Sequence, residues 1–336
     1  MFDPYTNEAK FALQAVRTAA QLCRRIQKEM VTEAMVKSDR SPVTVADFAS
    51  QAVVARMLQE KFTEDPLVAE EDSTSLRTPD QEGTLWAVTG YVSALYPEAT
   101  PETICEWIDL GSGEPSSRFW VLDPIDGTKG FLRGDQYVVA LALVEDGKVV
   151  LGALGCPNLS REMESDVGGV GAVAIAVRGQ GAWAADMENG SFAEIRVSER
   201  SDPTQTHVLR SFAAEHTDTD KIDQLIASLG TAYPPILMDS AAKYAILAAG
   251  GGDLLFRLIS PQKPDYVESI WDQAAGTILV TEAGGRVSDL TGRDLDFSRG
   301  RQLRENVGVL ASNGLLHAAA LEALRAVGAD RRPEGL

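Results

Sequence analysis

FWVLDPIDGTKGF, residues 119–131, is an apolar run that ends in two aspartates and a glycine. A strand end is a stiff mounting point, and the proline turn can bring Asp123 and Asp126 to one side, with the Ile125 carbonyl pointing the same way. Hard cations such as Mg²⁺ take oxygen ligands of this kind. Two carboxylates this close repel each other unless a cation or a proton intervenes. The same tetrapeptide also fits an Asx-type turn, in which the aspartates only satisfy backbone N–H groups. These residues alone leave both readings open. Gly127 lets the backbone approach a ligand, N–H groups opening a helix attract phosphate, and the Thr128 hydroxyl can orient a water; a simple turn accounts for them equally.

Outward from this stretch, QYVVALALVEDGKVVLGALGCP signals a hairpin turning near Asp146-Gly147, and GAVAIAVRGQGAWAA and FAEIRVSE read as further strands. The middle of the chain is therefore a mostly antiparallel sheet. Upstream, Asp3 and Pro4 suit the start of a helix over residues 4–30, with Ala12, Val16, Ala19, Cys23, Ile26 and Met30 in helical period. A second helix begins near TVADFASQ, where Thr44 and Asp47 have capping-box spacing. PLVAEEDS is a short strand ending in Glu70, Glu71 and Asp72; residues 73–118 are less regular, with a helix over 85–95. After RSDPTQ the pattern becomes strand, helix 218–229, helix, strand, the helix SIWDQAAGTILVTEAGG, the strand VGVLASN and a closing helix. The expected class is α/β in layers, with an N-terminal α+β domain over 1–200 and a C-terminal α/β domain over 201–336.

Three more acidic positions stand where α/β folds build sites, at strand ends and helix starts. Glu70 ends a strand, Asp47 lies in a first helical turn, and Asp272 follows Trp271 at the start of an Ala/Gly-rich helix. Each has a plain account by itself: a solvated loop, a cap, a favourable charge at a helix N-terminus. The whole chain of 336 residues carries a net charge of −18 without a basic patch, which excludes nucleic-acid polymers as partners and leaves room for a small anion if cations lie between. No stretch approaches ~20 apolar residues, so no membrane span is expected. The N-terminus lacks the composition of a signal or transit segment, and Cys23, Cys105 and Cys156 show no disulfide or metal spacing. A soluble protein of the reducing cytoplasm is the expectation.

DPIDGT, a preceding EE at a strand end and a later WD-x-A-x-G, in that order, resemble the lithium-sensitive, magnesium-dependent phosphatases related to inositol monophosphatase. The likeness spans essentially the whole chain and implies that superfamily's αβαβα sandwich. SPVTVADFASQ, DGTKGF, LGCPN, DSAAKY and FRL are more similar to the branch that removes the 3′-phosphate from adenosine 3′,5′-bisphosphate (PAP), with the phosphosulfate PAPS as a second substrate.

The resemblance implies roles for matching positions. Glu70, Asp123, Asp126 and Asp272, with the Ile125 carbonyl, would hold two or three Mg²⁺ ions. Asp47 and Thr128 would orient and deprotonate the attacking water. Gly127, Thr128, Ser240, Lys243, Arg257 and Asp272 would contact the nucleotide, and His216 would lie near its base or ribose. Two further readings stand beside this one: a phosphatase of the same superfamily acting on inositol phosphates or other sugar phosphates, and a non-catalytic nucleotide-binding regulatory protein. A monomer or a homodimer is expected, with sulfur assimilation as the setting.

Overall fold

The structure, a computed structural model, describes residues 2–31, 42–188, 190–212 and 218–333. Two sheets alternate with three helical layers. Helices α1 (Thr6–Ile26) and α2 (Pro42–Lys61) form the first layer, and a π-helical turn, Gln27–Val31, extends α1. The first sheet holds β1 (Leu67–Ala69), β2 (Arg118–Asp126), β3 (Val138–Glu145), β4 (Lys148–Cys156), β5 (Ala172–Val177), β6 (Ala182–Asp186) and β7 (Ala193–Ile195) in sequence order. Only β1 and β2 pair in parallel; the other pairings are antiparallel. Between β1 and β2 lie α3 (Glu82–Ser93) and α4 (Pro101–Asp109), and the short α5 (Thr128–Arg133) follows β2.

The second sheet is built from β8 (Val208–Arg210), β9 (Ile236–Leu237), β10 (Leu254–Arg257), β11 (Arg286–Ser288) and β12 (Val309–Ser312), in the order β11-β12-β10-β8-β9. Helices α7 (Ala242–Ala248) and α8 (Ile270–Glu282) are sandwiched between the sheets, while α6 (Thr219–Leu229) and α9 (His317–Ala326) close the outer face. The strand pleat divides the apolar residues among the layers. In β2, Trp120 and Leu122 join α1 residues such as Phe11, whereas Phe119 and Val121 join Ala274 and Ile278 of α8. In the second sheet, Leu255 and Ala311 face that same central core; Leu254 and Leu310 face Leu225 and Leu324 on the outside. This is the expected αβαβα sandwich.

Some local expectations fail. The first helix opens at Thr6, with Tyr5 at its cap position, so Asp3 and Pro4 lie outside it. Helix α2 already runs from Pro42, which leaves Thr44 and Asp47 in its interior, and the capping box does not form. Helix α4, which the irregular look of 73–118 conceals, is capped instead by Thr100 and Thr103, each side chain bonding the other's backbone N–H. The hairpin turn is as expected: Asp146 and Gly147 both have positive φ, 48° and 72°. Cys23, Cys105 and Cys156 are buried and unpaired. Among the described residues, no helix is long and apolar enough to cross a membrane.

Candidate active site

A regular strand would send residues 123 and 126, three apart, to opposite faces. The pairing of β2 with β3 prevents this. Asp123 lies opposite Ala140 and Asp126 opposite Val138, so three steps on β2 match two on β3, and a bulge absorbs the extra residue. Both aspartates therefore face the central layer, where Ala140 and Val138 also point. The bulge takes in Pro124, whose carbonyl accepts from Ser50 Oγ at 2.9 Å, and Ile125, whose side chain is buried in the outer core.

Parallel pairing brings the end of β1, and hence Glu70, alongside this turn. Glu70 and Asp123 are in direct carboxyl–carboxyl contact. Helix α2 faces them with a polar patch: Asp47, Ser50 and Gln51 are buried, and Gln51 holds Glu71 by both its N–H, at 3.0 Å, and its carbonyl, at 2.6 Å. Asp272 comes from the first turn of α8. The capping-box reading would have spent the Asp47 carboxylate on a backbone amide; inside the helix it is left facing Glu71 and Glu70.

These carboxyls share one electrostatic environment. Burial, then repulsion from Glu70, Asp126, Asp272 and Asp47, pushes Asp123 well above the usual carboxylate range. Burial and the charge of Glu71 raise Glu70 to about 7. Burial, then Glu71 and Glu70, raises Asp47. Asp126 is raised by burial against the opposing pull of Lys243 and Arg257; Asp272 is raised by burial against Arg257. A cluster that resists ionisation by itself is one that a cation relieves.

Lys243 and Arg257 line the same cleft of about 460 Å³ as Glu70, Asp126 and Asp272. Lys243 Nζ donates to the carbonyls of Met238 at 3.0 Å and Ser240 at 2.9 Å, and burial lowers its pKa to about 8. Arg257 is bound by Glu268 at 2.8 Å and reaches Asp272 at 3.3 Å. Ser240 has φ 70°, an uncommon conformation for a residue with a side chain. The turn it forms lays the Ala241 N–H against Asp126 Oδ2 at 2.5 Å. Gly127 is required beneath it: its φ is 97°, and a Cβ there would lie 2.6 Å from Ser240 Cβ. Gly127 and Thr128 line the same cleft.

The structure thus gathers Glu70, Asp126, Gly127, Thr128, Ser240, Lys243, Arg257 and Asp272 around one cleft, with Asp123, Asp47 and Ile125 packed behind it. His216 lies outside the described residues. Sequence reading missed Glu71, Asp239, Tyr266 and Glu268. Asp239 accepts from Arg133 at 2.5 Å, and buried Glu268 joins Arg257 to Gln273, which in turn bonds Tyr244. The EE pair pointed to Glu71 and the motif DSAAKY contains Asp239; no local pattern marks Tyr266 or Glu268.

The donor chemistry suits a hard cation: the groups are oxygen acids, and the buried Oδ1 of Asp123 has no hydrogen-bond partner among the described residues. As the side chains stand, no three acidic, histidine or cysteine groups among the described residues close on a common point as metal ligands. The fit is therefore one of donor type, crowding and proximity. A cleft lined by both kinds of charge can hold cations at its carboxylates and an anionic group at Lys243 and Arg257.

The chain belongs to the inositol monophosphatase family, whose sequence pattern matches residues 5–329. The family's enzymes are generally magnesium-dependent. Among curated relatives, the 3′(2′),5′-bisphosphate nucleotidase of Oryza sativa is 42% identical over 96% of this chain and 95% of its own length. The protein of the same name from Schizosaccharomyces pombe is 39% identical, covering 95% of each chain. Among solved structures, the IMPase of Thermotoga maritima superposes with a TM-score of 0.63 at 21% identity, covering 96% of this chain and 98% of that one, which speaks for the fold alone.

Proposed function

We propose that this chain is a 3′(2′),5′-bisphosphate nucleotidase, a phosphomonoesterase that removes the 3′-phosphate of PAP to leave AMP and phosphate, with PAPS as a second substrate. The observation that carries the reading is the single cleft lined both by carboxylates from strand ends and helix starts, Glu70, Asp126 and Asp272, and by the cations Lys243 and Arg257. The full-length relatives at about 40% identity carry the same activity in their names. A bisphosphate suits such a cleft, since one phosphate reacts beside the carboxylates while the other rests on the cations.

Glu70, Asp123, Asp126 and Asp272, with the Ile125 carbonyl, would hold two or three Mg²⁺ ions, whose charge, when bound, draws in the ester phosphate and offsets the negative charge of its oxygens. Thr128 Oγ orients the attacking water, and Asp47 accepts its proton on a carboxylate oxygen. The water oxygen attacks phosphorus as the bond to the ribose 3′-oxygen breaks, and that oxygen leaves with a proton from solvent. Lys243 and Arg257 hold the non-reacting 5′-phosphate with charge-assisted hydrogen bonds, and Ser240 and the Gly127 amide fix its position. No side chain forms a phosphoenzyme.

The reading is tested by phosphate release from PAP, PAPS and inositol 1-phosphate at equal concentration with Mg²⁺ present. PAP is expected to turn over at least about tenfold faster than inositol 1-phosphate, a difference of roughly 1.4 kcal/mol. Equal rates, or a preference for the inositol ester, would return the chain to the wider sugar-phosphate class. No turnover of any of them would favour a regulatory nucleotide-binding protein.

A further inference from the structure

Arg301 lies in the long connection between β11 and β12, away from the acidic and glycine motifs that line the cleft. Its guanidinium is filled by main chain. One terminal nitrogen, Nη2, donates to the carbonyl of Ala69; the other, Nη1, donates to the carbonyls of Gly113 at 3.2 Å and Gly111 at 3.4 Å. Its face lies over the indole of Trp271, 5.1 Å from the ring centroid. Among the described residues, no carboxylate lies within ion-pair distance of it, so its place is set by the three carbonyls and the ring.

The neighbours of these partners give the contact its meaning. Ala69 is the last residue of β1 and precedes Glu70; Trp271 precedes Asp272. The carbonyls of Gly111 and Leu67 receive the N–H groups of Ala69 and Gly113, at 2.8 and 2.9 Å, so the loop that Arg301 grips is itself laced to β1. On the other side, the Arg301 carbonyl accepts from the N–H of Ile270 at 3.1 Å, and Leu303 N–H donates to the carbonyl of Glu268 at 2.9 Å, which fixes the same segment to the start of α8. A single side chain thus joins the strand end that presents Glu70, in the first sheet, to the helix start that presents Asp272, between the sheets.

We infer that Arg301 is a positioning residue that sets the spacing between the Glu70 and Asp272 carboxylates for divalent-cation binding. This rests on the metal-dependent reading above. The planar fork of arginine donates from two nitrogens to three carbonyls while its face stacks on the ring; the compact ammonium of lysine has three donors but no flat face to lay on the indole and no fork to span the carbonyls. Groups that orient metal ligands without touching the metal typically change affinity by about 10–100-fold when removed.

The test titrates the metal-free, full-length protein with Mn²⁺, followed by electron paramagnetic resonance of the free ion, for the wild type, Arg301→Gln, Arg301→Lys and Trp271→Leu. Melting temperatures and steady-state kinetics with PAP accompany the titration. The expected result is Mn²⁺ affinity weakened about 10–100-fold in Arg301→Gln, without rescue by Arg301→Lys. Activity should recover toward wild type at high Mg²⁺, and KM for PAP at saturating metal should change less than about threefold. Trp271→Leu, which keeps the three carbonyl contacts and removes the stacking face, should weaken Mn²⁺ in the same direction by a smaller factor, and it carries the test if Arg301→Gln does not fold. Mn²⁺ affinity within about twofold of wild type in the folded variants, or a lowered melting temperature with unchanged affinity, overturns the inference and leaves Arg301 a packing residue. A wild type that binds no Mn²⁺ overturns the metal-dependent reading as well, and is recognised because it fails before any substitution is made.

Discussion

Asp126 has one main-chain donor, Ala241 N–H, on a carboxylate that burial holds above its ordinary range. Asp126→Asn preserves size and that hydrogen bond but removes the charge. It is expected to lower kcat for PAP by at least about 10²-fold, the scale of losing an electrostatic catalytic group, and an unchanged kcat would remove Asp126 from the proposed metal set. Lys243→Met separates binding from chemistry. With its ammonium gone, KM for PAP should rise about tenfold or more, while KM for adenosine 3′-monophosphate, which lacks the 5′-phosphate, should move less than about twofold. A parallel rise for both nucleotides would deny Lys243 its phosphate. Sequence reading marked Asp123, Asp126, Asp272, Lys243 and Arg257 because each belongs to a short pattern. It gave no role to Asp239, although that residue opens DSAAKY, and it could not mark Glu268, which meets Arg257 only when separate segments are folded together.

Elements with a strong period and clear punctuation were legible: the β3–β4 hairpin with its Asp146-Gly147 turn, α8 with Gly284 just beyond it, and α6, expected over 218–229 and observed over Thr219–Leu229. The two-residue β9 and three-residue β11 were not, because a pleat needs more residues than these to show a period. The β2 bulge was also invisible, since it exists only relative to β3, and yet it is what puts the two aspartates on one face. Packing between elements depends on small residues in the same hidden way. Gly155 on β4 lies against α1, and a Cβ there would be 2.6 Å from the Val16 carbonyl and 3.0 Å from Ala20 Cβ. Gly155→Ala must push helix and strand apart, and is expected to cost about 1–3 kcal/mol in denaturant unfolding. A loss below about 0.5 kcal/mol would show that this contact can relax at the surface-mutation scale.

At the scale of the molecule, five alternating layers place α9 on the outer face of the second sheet, and His317 is one of its polar ties to that sheet. It opens α9 and is buried, with Nδ1 2.8 Å from Ser312 Oγ on β12 and Nε2 3.0 Å from Ser288 Oγ on β11. Ser288 Oγ gives its own proton to the Asp289 carbonyl, so it accepts from Nε2–H; the Ser312 hydroxyl, whose other acceptor is the Arg286 carbonyl at 3.4 Å, donates to the nearer Nδ1 at 2.8 Å. Both ring nitrogens are satisfied by the neutral imidazole, and protonation makes Ser312 Oγ give up its short bond to Nδ1 as donor and turn its proton to the more distant Arg286 carbonyl. Burial, then the charge of Arg286, lowers the pKa from 6.5 to about 4. In the unfolded chain the imidazole returns to its ordinary value, so between about pH 6.5 and 4 the unfolded state binds the extra proton. Stability is therefore untouched by this group above that window and falls as pH drops through it. His317→Gln removes the titration while keeping a polar side chain. The fall in melting temperature from pH 7.5 to pH 5 should be steeper in the wild type than in the variant by about 3 °C or more. The cleft carboxylates titrate in both proteins and cancel in the comparison. Parallel curves would mean that His317 is protonated in the folded state and that its two serines do not fix the tautomer.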